Sequence, residues 1–168
     1  SLQELFCYNN QLPNLTLAAF PLLQKLWCPD NQLTNLYVGG STNLQDLWCY
    51  RNRIQNLDVA GFGQLLDFSC SENQLTNVEV TGCVRLTNIN CYQNQLEILN
   101  LSDCRNLRTI CLYDNHLTTL NISSNLALTY IDARANMLTN IVVWWTPPTN
   151  IPSSIQLYYD GEPVLRNP

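Results

Sequence analysis

Hydrophobic positions recur along the chain with a period of 21 residues, and polar positions recur in step with them. One position is leucine in seven consecutive copies, and the position eight residues later is always asparagine. The leucines are Leu2, Leu23, Leu44, Leu65, Leu86, Leu107 and Leu128, and the asparagines are Asn10, Asn31, Asn52, Asn73, Asn94, Asn115 and Asn136. Because no insertion or deletion interrupts the series, the repeat must determine the architecture.

Each copy contains two short segments in which apolar and polar residues alternate. The first reads Leu-x-x-Leu-x-Cys over 23–28, and the second reads Leu-x-x-Leu-x-Val over 33–38. Such alternation is typical of a short strand with one buried face. The asparagine between them predicts a turn, since its amide can satisfy backbone groups inside a bend. The remaining residues are too few for an amphipathic helix, so we expect the outer side to be extended or 3₁₀-helical.

A single coil of this kind cannot be stable alone. Ordering its backbone costs about 1–2 kcal/mol per residue, which only burial against neighbouring coils offsets. The repeat therefore predicts a solenoid with a parallel β-sheet along one side, rising about 4.8 Å per coil and about 34 Å long.

The regular pattern ends after Val143. A Trp-Trp pair is followed by Thr146–Thr149, whose two prolines would interrupt a regular coil. Alternation returns at Ile155–Tyr158, which predicts one more strand. We therefore predict seven repeats over 1–143 and a C-terminal cap over 144–168, in which the tryptophan pair covers the last coil rather than binding a ligand.

Five of the eight cysteines occupy one column of the repeat. They are Cys7, Cys28, Cys49, Cys70 and Cys91, and Leu112 and Ala133 continue the column. In-register neighbours lie about 4.8 Å apart, whereas disulfide-bonded Cβ atoms lie about 3.5–4.5 Å apart. No Cys-x-x-Cys pair is present, and His116 is the single histidine. We therefore predict a reduced, structural cysteine ladder and no metal site or cofactor.

The other three cysteines leave alternatives open. Cys83 and Cys104 are one repeat apart in a second column, where a disulfide is compatible with the spacing. Cys111 precedes the ladder position by one residue and should face outward, either as a reactive thiol or as an exposed bystander.

The segments Leu-Trp-Cys-Pro-Asp-Asn-Gln-Leu-Thr-Asn-Leu at 26–36 and Cys-Ser-Glu-Asn-Gln-Leu-Thr at 70–76 resemble leucine-rich repeats. Their 21-residue length and strand cysteine are similar to the cysteine-ladder repeats of internalin-type bacterial surface proteins. The resemblance covers about residues 2–143. It implies a leucine-rich repeat solenoid with a concave parallel sheet. It also implies an extracellular or bacterial cell-surface location and a role in adhesion or protein binding.

Residues that alternate with the buried strand positions should share the concave face. The aromatic and acidic candidates for ligand binding there are Phe6, Tyr8, Trp27, Trp48, Tyr50, Tyr92, Tyr113, Asp46 and Asp67. A contiguous exposed aromatic patch is typical of an interface, and flat rings also suit sugars. We therefore predict a non-enzymatic module that captures a protein or glycan. Cross-strand packing of the aromatic residues is an alternative, and so is the covering of Phe6 by further N-terminal repeats. A structural or self-associating segment of a larger surface protein, in which Phe6 and its neighbours are buried against a further repeat or a second copy, is the alternative function.

Composition and charge narrow the partners further. The chain has 168 residues, of which 12% are charged, and its net charge is −5. An acidic chain is a poor match for nucleic acid or an anionic membrane surface. The apolar run at 141–145 is far shorter than the roughly 20 residues of a membrane span. No catalytic triad, phosphate loop or metal motif is recognisable, which predicts a protein that is not an enzyme. The oligomeric state stays open.

Overall fold

Successive coils of the chain each contribute one short strand to a common parallel sheet. The computed structural model describes residues 1–147 and 151–168. Within each strand the middle residue points inward and its two neighbours point outward. In the strand Lys25–Trp27, for example, Leu26 is buried and both flanking residues are half-buried. The alternation read from the sequence therefore sets which side chains form the core.

The main sheet has eight strands that lie side by side in chain order. They are β1 (Glu4–Phe6), β3 (Lys25–Trp27), β5 (Asp46–Trp48), β7 (Asp67–Ser69), β9 (Asn88–Asn90), β10 (Thr109–Cys111), β12 (Tyr130–Asp132) and β14 (Gln156–Tyr158).

The opposite side of the solenoid is also extended, with shorter and interrupted sheets. There β2 (Asn14–Thr16) pairs with β4 (Asn35–Tyr37), β6 (Leu57–Asp58) pairs with β8 (Val78–Glu79), and β11 (Thr119–Asn121), β13 (Asn140–Val142) and β15 (Val164–Arg166) form a third group. No helix occurs in the part of the chain that the structure describes. The predicted leucine-rich repeat solenoid with an extended outer side is confirmed.

Register along the main sheet advances by one 21-residue repeat at each step from β1 to β12, and the final step pairs Tyr130 of β12 with Gln156 of β14. Leu26 pairs with Leu47, and Leu47 pairs with Phe68. A slip of one residue would turn the buried face outward, so the constant repeat length keeps each apolar column continuous.

The cysteine ladder lies inside the solenoid, as predicted. Cys28, Cys49, Cys70 and Cys91 are completely buried among leucines. Leu112 and Ala133 continue the column and are buried as well. Burial of a side chain as large as Leu112 contributes about 1.5–3 kcal/mol and burial of the smaller cysteine and alanine side chains contributes less, so the column stabilises the stack by packing.

The asparagines that recur in every repeat form a second ladder, which joins adjacent coils by hydrogen bonds. Asn73 Nδ2 donates to the carbonyl oxygens of Cys49 (3.0 Å), Cys70 (3.1 Å) and Ser71 (3.1 Å). Asn73 Oδ1 accepts the backbone N–H of Ile54 at 2.9 Å. The same four bonds recur at Asn31, Asn52, Asn94, Asn115 and Asn136. The predicted turn role of the asparagines is therefore confirmed.

The residue before each ladder asparagine adopts the left-handed backbone conformation, which the sequence did not predict. The φ angles lie between 50° and 57° at Asn9, Asp30, Arg51, Glu72, Gln93, Asp114 and Ala135. This conformation costs about 1–2 kcal/mol for a residue other than glycine. Hydrogen bonds to the next coil hold the corner in place, as where the Arg51 N–H donates to Ser71 O at 3.0 Å.

The C-terminal segment continues both sides of the solenoid for one more coil. Strand β14 pairs with β12, and β15 pairs with β13. Trp145 is buried, and its ring meets that of Trp144 edge-on at a centroid distance of 4.9 Å. This packing agrees with a covering role for the pair. Residues 148 and 149 of the predicted break lie outside the described residues, and the division into repeats and cap stays a prediction.

Candidate binding surface

The outward side chains of the main sheet form three parallel columns, which together we call the sheet face. The charged column holds Glu4, Lys25, Asp46, Asp67, Asn88, Thr109 and Tyr130. The tryptophan column holds Phe6, Trp27, Trp48, Ser69, Asn90, Cys111 and Asp132. The tyrosine column holds Tyr8, Pro29, Tyr50, Ser71, Tyr92, Tyr113 and Arg134. All of the aromatic and acidic binding candidates lie on this face.

The first three residues of the tryptophan column pack ring against ring, with Phe6 tilted by 40° to Trp27 and Trp48 stacked on Trp27. The ring centroids of Phe6 and Trp27 are 4.6 Å apart, and those of Trp27 and Trp48 are 4.4 Å apart with planes only 5° from parallel. Trp27 is therefore covered on both ring faces. Each such pair contributes about 0.5–1.5 kcal/mol, so the stack also joins β1, β3 and β5.

Stacking makes the aromatic patch less exposed than the sequence suggested. Phe6 and Tyr8 are 46% and 50% exposed, whereas Trp27, Trp48 and Tyr50 are half-buried. The difference arises because in-register rings one coil apart are close enough to cover one another. Cross-strand packing thus accounts for Trp27, while Phe6 and Tyr8 still present apolar surface to solvent.

The tyrosine column carries a second aromatic group further along the sheet. Tyr92 and Tyr113 stack with centroids 4.6 Å apart and planes 7° from parallel. Between this pair and Tyr50 lies Ser71, which is fully buried. The sheet face therefore has two aromatic groups separated by the small side chains of the fourth repeat.

Two carboxylates stand side by side in the charged column. Asp46 and Asp67 are in register on β5 and β7. Burial, followed by the neighbouring Asp67, raises the pKa of Asp46, while Lys25 opposes the shift. Burial also raises the pKa of Asp67, against hydrogen bonds from Trp48 Nε1 (3.2 Å) and Asn88 Nδ2 (3.4 Å). Lys25 itself forms an ion pair with Glu4 at 3.0 Å.

Charged side chains border the aromatic groups at the corner of the coils. Arg51 forms ion pairs with Asp30 (3.7 Å) and Glu72 (3.1 Å), and its guanidinium lies 5.8 Å from the ring centroid of Tyr50. These groups are partly exposed, so the pairs contribute little stability and serve as a polar rim.

The far end of the face is closed by an ion pair that the sequence did not indicate. Arg134 Nη2 and Nε donate to the two carboxylate oxygens of Asp132 at 2.6 and 2.9 Å. Asp132 is buried, and the hydrogen bonds from Arg134 lower its pKa. No periodic signal marks this pair, because each residue departs from its own column.

All eight cysteines are unbridged. Cys83 and Cys104 donate their S–H groups to backbone carbonyls of Val59 (3.2 Å) and Val80 (3.6 Å), so the open disulfide alternative is not the state observed. Cys111 is half-buried, and burial together with Asp132 raises its pKa to about 11. A thiol with that pKa is mostly protonated at neutral pH, which favours the bystander interpretation.

The sheet face is a surface rather than a pocket. Two depressions of about 360 and 460 Å³ are lined by residues outside the sheet face. The first includes Gln55, Gln74 and Gln95, and the second includes Ile98, His116 and Met137. Within residues 1–147 and 151–168, no cluster of three or more His, Cys, Asp or Glu side chains could hold a metal ion. In the same residues, no helix has the length and apolar character to cross a membrane.

The parallel sheet, the buried cysteine column and the asparagine ladder together define a cysteine-ladder leucine-rich repeat solenoid. The chain is similar to the solved functional domain of InlJ from Listeria monocytogenes, whose description includes a cysteine ladder. The TM-score is 0.57 at 24% identity, over 84% of this chain and 44% of that domain. The chain thus spans less than half of the domain's length. The resemblance inferred from the repeats is confirmed for the fold. No protein-family model matches the chain, and the comparison with curated proteins gives no match.

Proposed function

We propose that this chain is a non-enzymatic, adhesin-like binding module of a bacterial surface or secreted protein. In this proposal, the sheet face captures an extracellular protein or glycan. The observation that carries the proposal is the aromatic surface at the first three coils, where Trp48 and Tyr50 stay partly exposed although a coil lies on each side of them. Large aromatic side chains left in water are typical of interfaces, and Tyr and Trp dominate binding energy there. Similarity to the InlJ domain supports the surface location.

Tyr8 and Tyr50 allow a test that leaves the tryptophan stack intact. We expect the double variant Tyr8→Ser/Tyr50→Ser to lose most ligand capture, because it removes aromatic surface while Phe6, Trp27 and Trp48 remain in contact. The measurement is surface-plasmon-resonance binding to purified extracellular-matrix proteins and immobilised glycans. We expect the Kd of the double variant to be at least tenfold weaker, which corresponds to a loss of about 1.4 kcal/mol or more of binding free energy.

The chain offers a matched control on the opposite side of the solenoid. Tyr37 on β4 is 57% exposed and lies outside the sheet face. The substitution Tyr37→Ser should leave capture unchanged. Equal binding by the double variant and by wild type would refute the sheet face as the binding surface.

A second candidate, self-association, rests on the edge of the first coil. Leu2 is 40% exposed, although its counterpart Leu23 one coil later is completely buried. Asn10 donates only to Cys7 O and Tyr8 O, and no described residue donates to its Oδ1. Such an edge accepts either a further repeat of the same protein or a coil of a second copy. Light scattering that shows a concentration-dependent dimer, disrupted by Leu2→Lys, would favour this candidate over ligand capture.

A further inference from the structure

One ring face of Trp48 has no aromatic partner among residues 1–147 and 151–168. Trp27 covers the opposite face at a centroid distance of 4.4 Å. The in-register neighbour on the open side is Ser69, which is half-buried and too short to cover an indole. Trp27 and Trp48 lie one coil apart, and their rings are in contact at that distance. Because neighbouring strands are about 4.8 Å apart throughout a parallel sheet, the coil on the other side of Trp48 lies at the same distance. The spacing of one coil at Ser69 therefore matches the thickness of one further flat ring.

Hydrogen-bonding groups surround this open face. Asp67 Oδ1 accepts from Trp48 Nε1 at 3.2 Å, and Asp67 Oδ2 accepts from Asn88 Nδ2 at 3.4 Å. A carboxylate offers about four lone-pair sites, so these two bonds orient Asp67 and leave it able to accept hydroxyl groups. Asn88 and Asn90 lie in register with Asp67 and Ser69 on the next strand and add amide donors and acceptors.

This combination fits the chemistry of a sugar ring. The negative face of an aromatic ring attracts weakly positive C–H groups, such as those on the apolar side of a pyranose. Hydroxyl groups at the edge of the same ring would reach a carboxylate and amides, which fix orientation in binding sites.

Charge selects among the sugars. Asp46 and Asp67 are adjacent in register, and the only cation of the charged column, Lys25, is already paired with Glu4 at 3.0 Å. The whole chain carries a net charge of −5. A sialylated or sulfated sugar would be repelled here.

We propose that Trp48, Ser69, Asp67 and the two asparagines form a seat for one neutral hexose ring of an oligosaccharide. The inference rests on the proposed binding function and names the ligand class at the same face. The sugar ring stacks on the indole of Trp48 and lies over the small side chain of Ser69. Asp67 and the two asparagine amides bind the ring hydroxyls.

The test blocks the proposed sugar site with a larger side chain and leaves Trp48 unchanged. Ser69→Trp extends the tryptophan stack by one ring, in a column that already holds tryptophan at two consecutive coils. The fold should therefore be retained, which the thermal midpoint checks. The matched control is Ser102→Trp, at an exposed serine outside the main sheet.

The full chain is titrated with neutral galactose-, glucose- and mannose-terminated oligosaccharides and with sialylated and sulfated forms, followed by tryptophan fluorescence. We expect wild type to bind a neutral class, Ser69→Trp to bind it about tenfold more weakly or worse, and Ser102→Trp to match wild type. Unchanged binding by a folded Ser69→Trp, or a preference for anionic sugars, would overturn the seat.

The remaining outcomes separate this inference from the proposed function. If wild type binds no oligosaccharide but binds a purified protein through Tyr8 and Tyr50, the sugar seat is wrong and the binding function stands. If wild type binds neither class of ligand, both proposals fail.

Discussion

Replacing the ladder asparagine Asn73 by alanine tests the central bonding device of the solenoid. The side chain makes four hydrogen bonds, three as donor to the carbonyls of Cys49, Cys70 and Ser71 and one as acceptor from the Ile54 N–H. Alanine removes all four, and what matters is which backbone groups are then left without any partner.

The three carbonyls each keep another donor, whereas the amide does not. The retained donors are Asn52 Nδ2 on Cys49, Asn94 Nδ2 on Cys70 and the Arg51 N–H on Ser71. The N–H of Ile54, a completely buried residue, has Asn73 Oδ1 as its partner. One stranded buried N–H costs about 1–3 kcal/mol, so we expect Asn73→Ala to reduce the free energy of unfolding by that amount.

The assay combines thermal unfolding with amide hydrogen exchange. For a chain of this size, each kcal/mol lowers the thermal midpoint by about 2–4 °C. Exchange at the Ile54 amide should accelerate more than exchange in distant coils, because contacts run only between neighbouring coils.

Asn10 provides the matched control, since it occupies the same position but bonds only to two carbonyls of its own coil. Asn10→Ala strands no buried N–H and should cost about 0.5–1.5 kcal/mol at most. Equal losses for the two variants, or an unchanged Ile54 exchange rate in Asn73→Ala, would refute the reasoning.

Three further predictions follow from backbone geometry and burial. Gly40→Ala should destabilise by about 1–3 kcal/mol, because the added Cβ would overlap the backbone carbonyl of Ala18. Gly63→Ala, whose Cβ would have its closest neighbour at 3.8 Å, should fold normally, and thermal midpoints compare the two variants. Ala135→Gly should stabilise by about 0.5–1 kcal/mol in urea unfolding, because it relieves a left-handed φ of 50°. The thiol contribution to stability should be fully present below about pH 8.5, the unfolded thiol pKa, and be lost as pH rises from there, because burial raises the folded pKa of thiols such as Cys111 to about 11. Thermal midpoints at alkaline pH measure the slope, which Cys111→Ala should reduce.

The columns of the fold could be predicted because they repeat. Leu26, Cys28 and Asn31 each belong to a series with constant spacing, and constant spacing in a stacked coil means constant environment. The left-handed corner could not be predicted in this way. Its side chains include Asn9, Arg51 and Ala135, so composition gives no common signal, and the conformation is imposed by bonds to the neighbouring coil.

The candidate site shows the same division. Sequence alternation correctly grouped Trp27, Trp48 and Asp67 on one face, since strand periodicity decides which side a residue takes. It could not show that Trp27 is covered on both faces while Trp48 is covered on one, because ring stacking depends on side-chain rotation. The pairing of Asp132 with Arg134 was missed for a related reason, as each occurs once and creates no pattern.

At the left-handed corner, the backbone conformation does not depend on which residue occupies the position. Since the ladder asparagine and the next coil hold that corner, residues as different as Asp30, Arg51 and Glu72 occupy it with the same φ within a few degrees. Substitutions at the corner positions can therefore change the surface charge of each coil without changing the fold of the solenoid. A solenoid built in this way can evolve affinity for new partners while its backbone structure is retained.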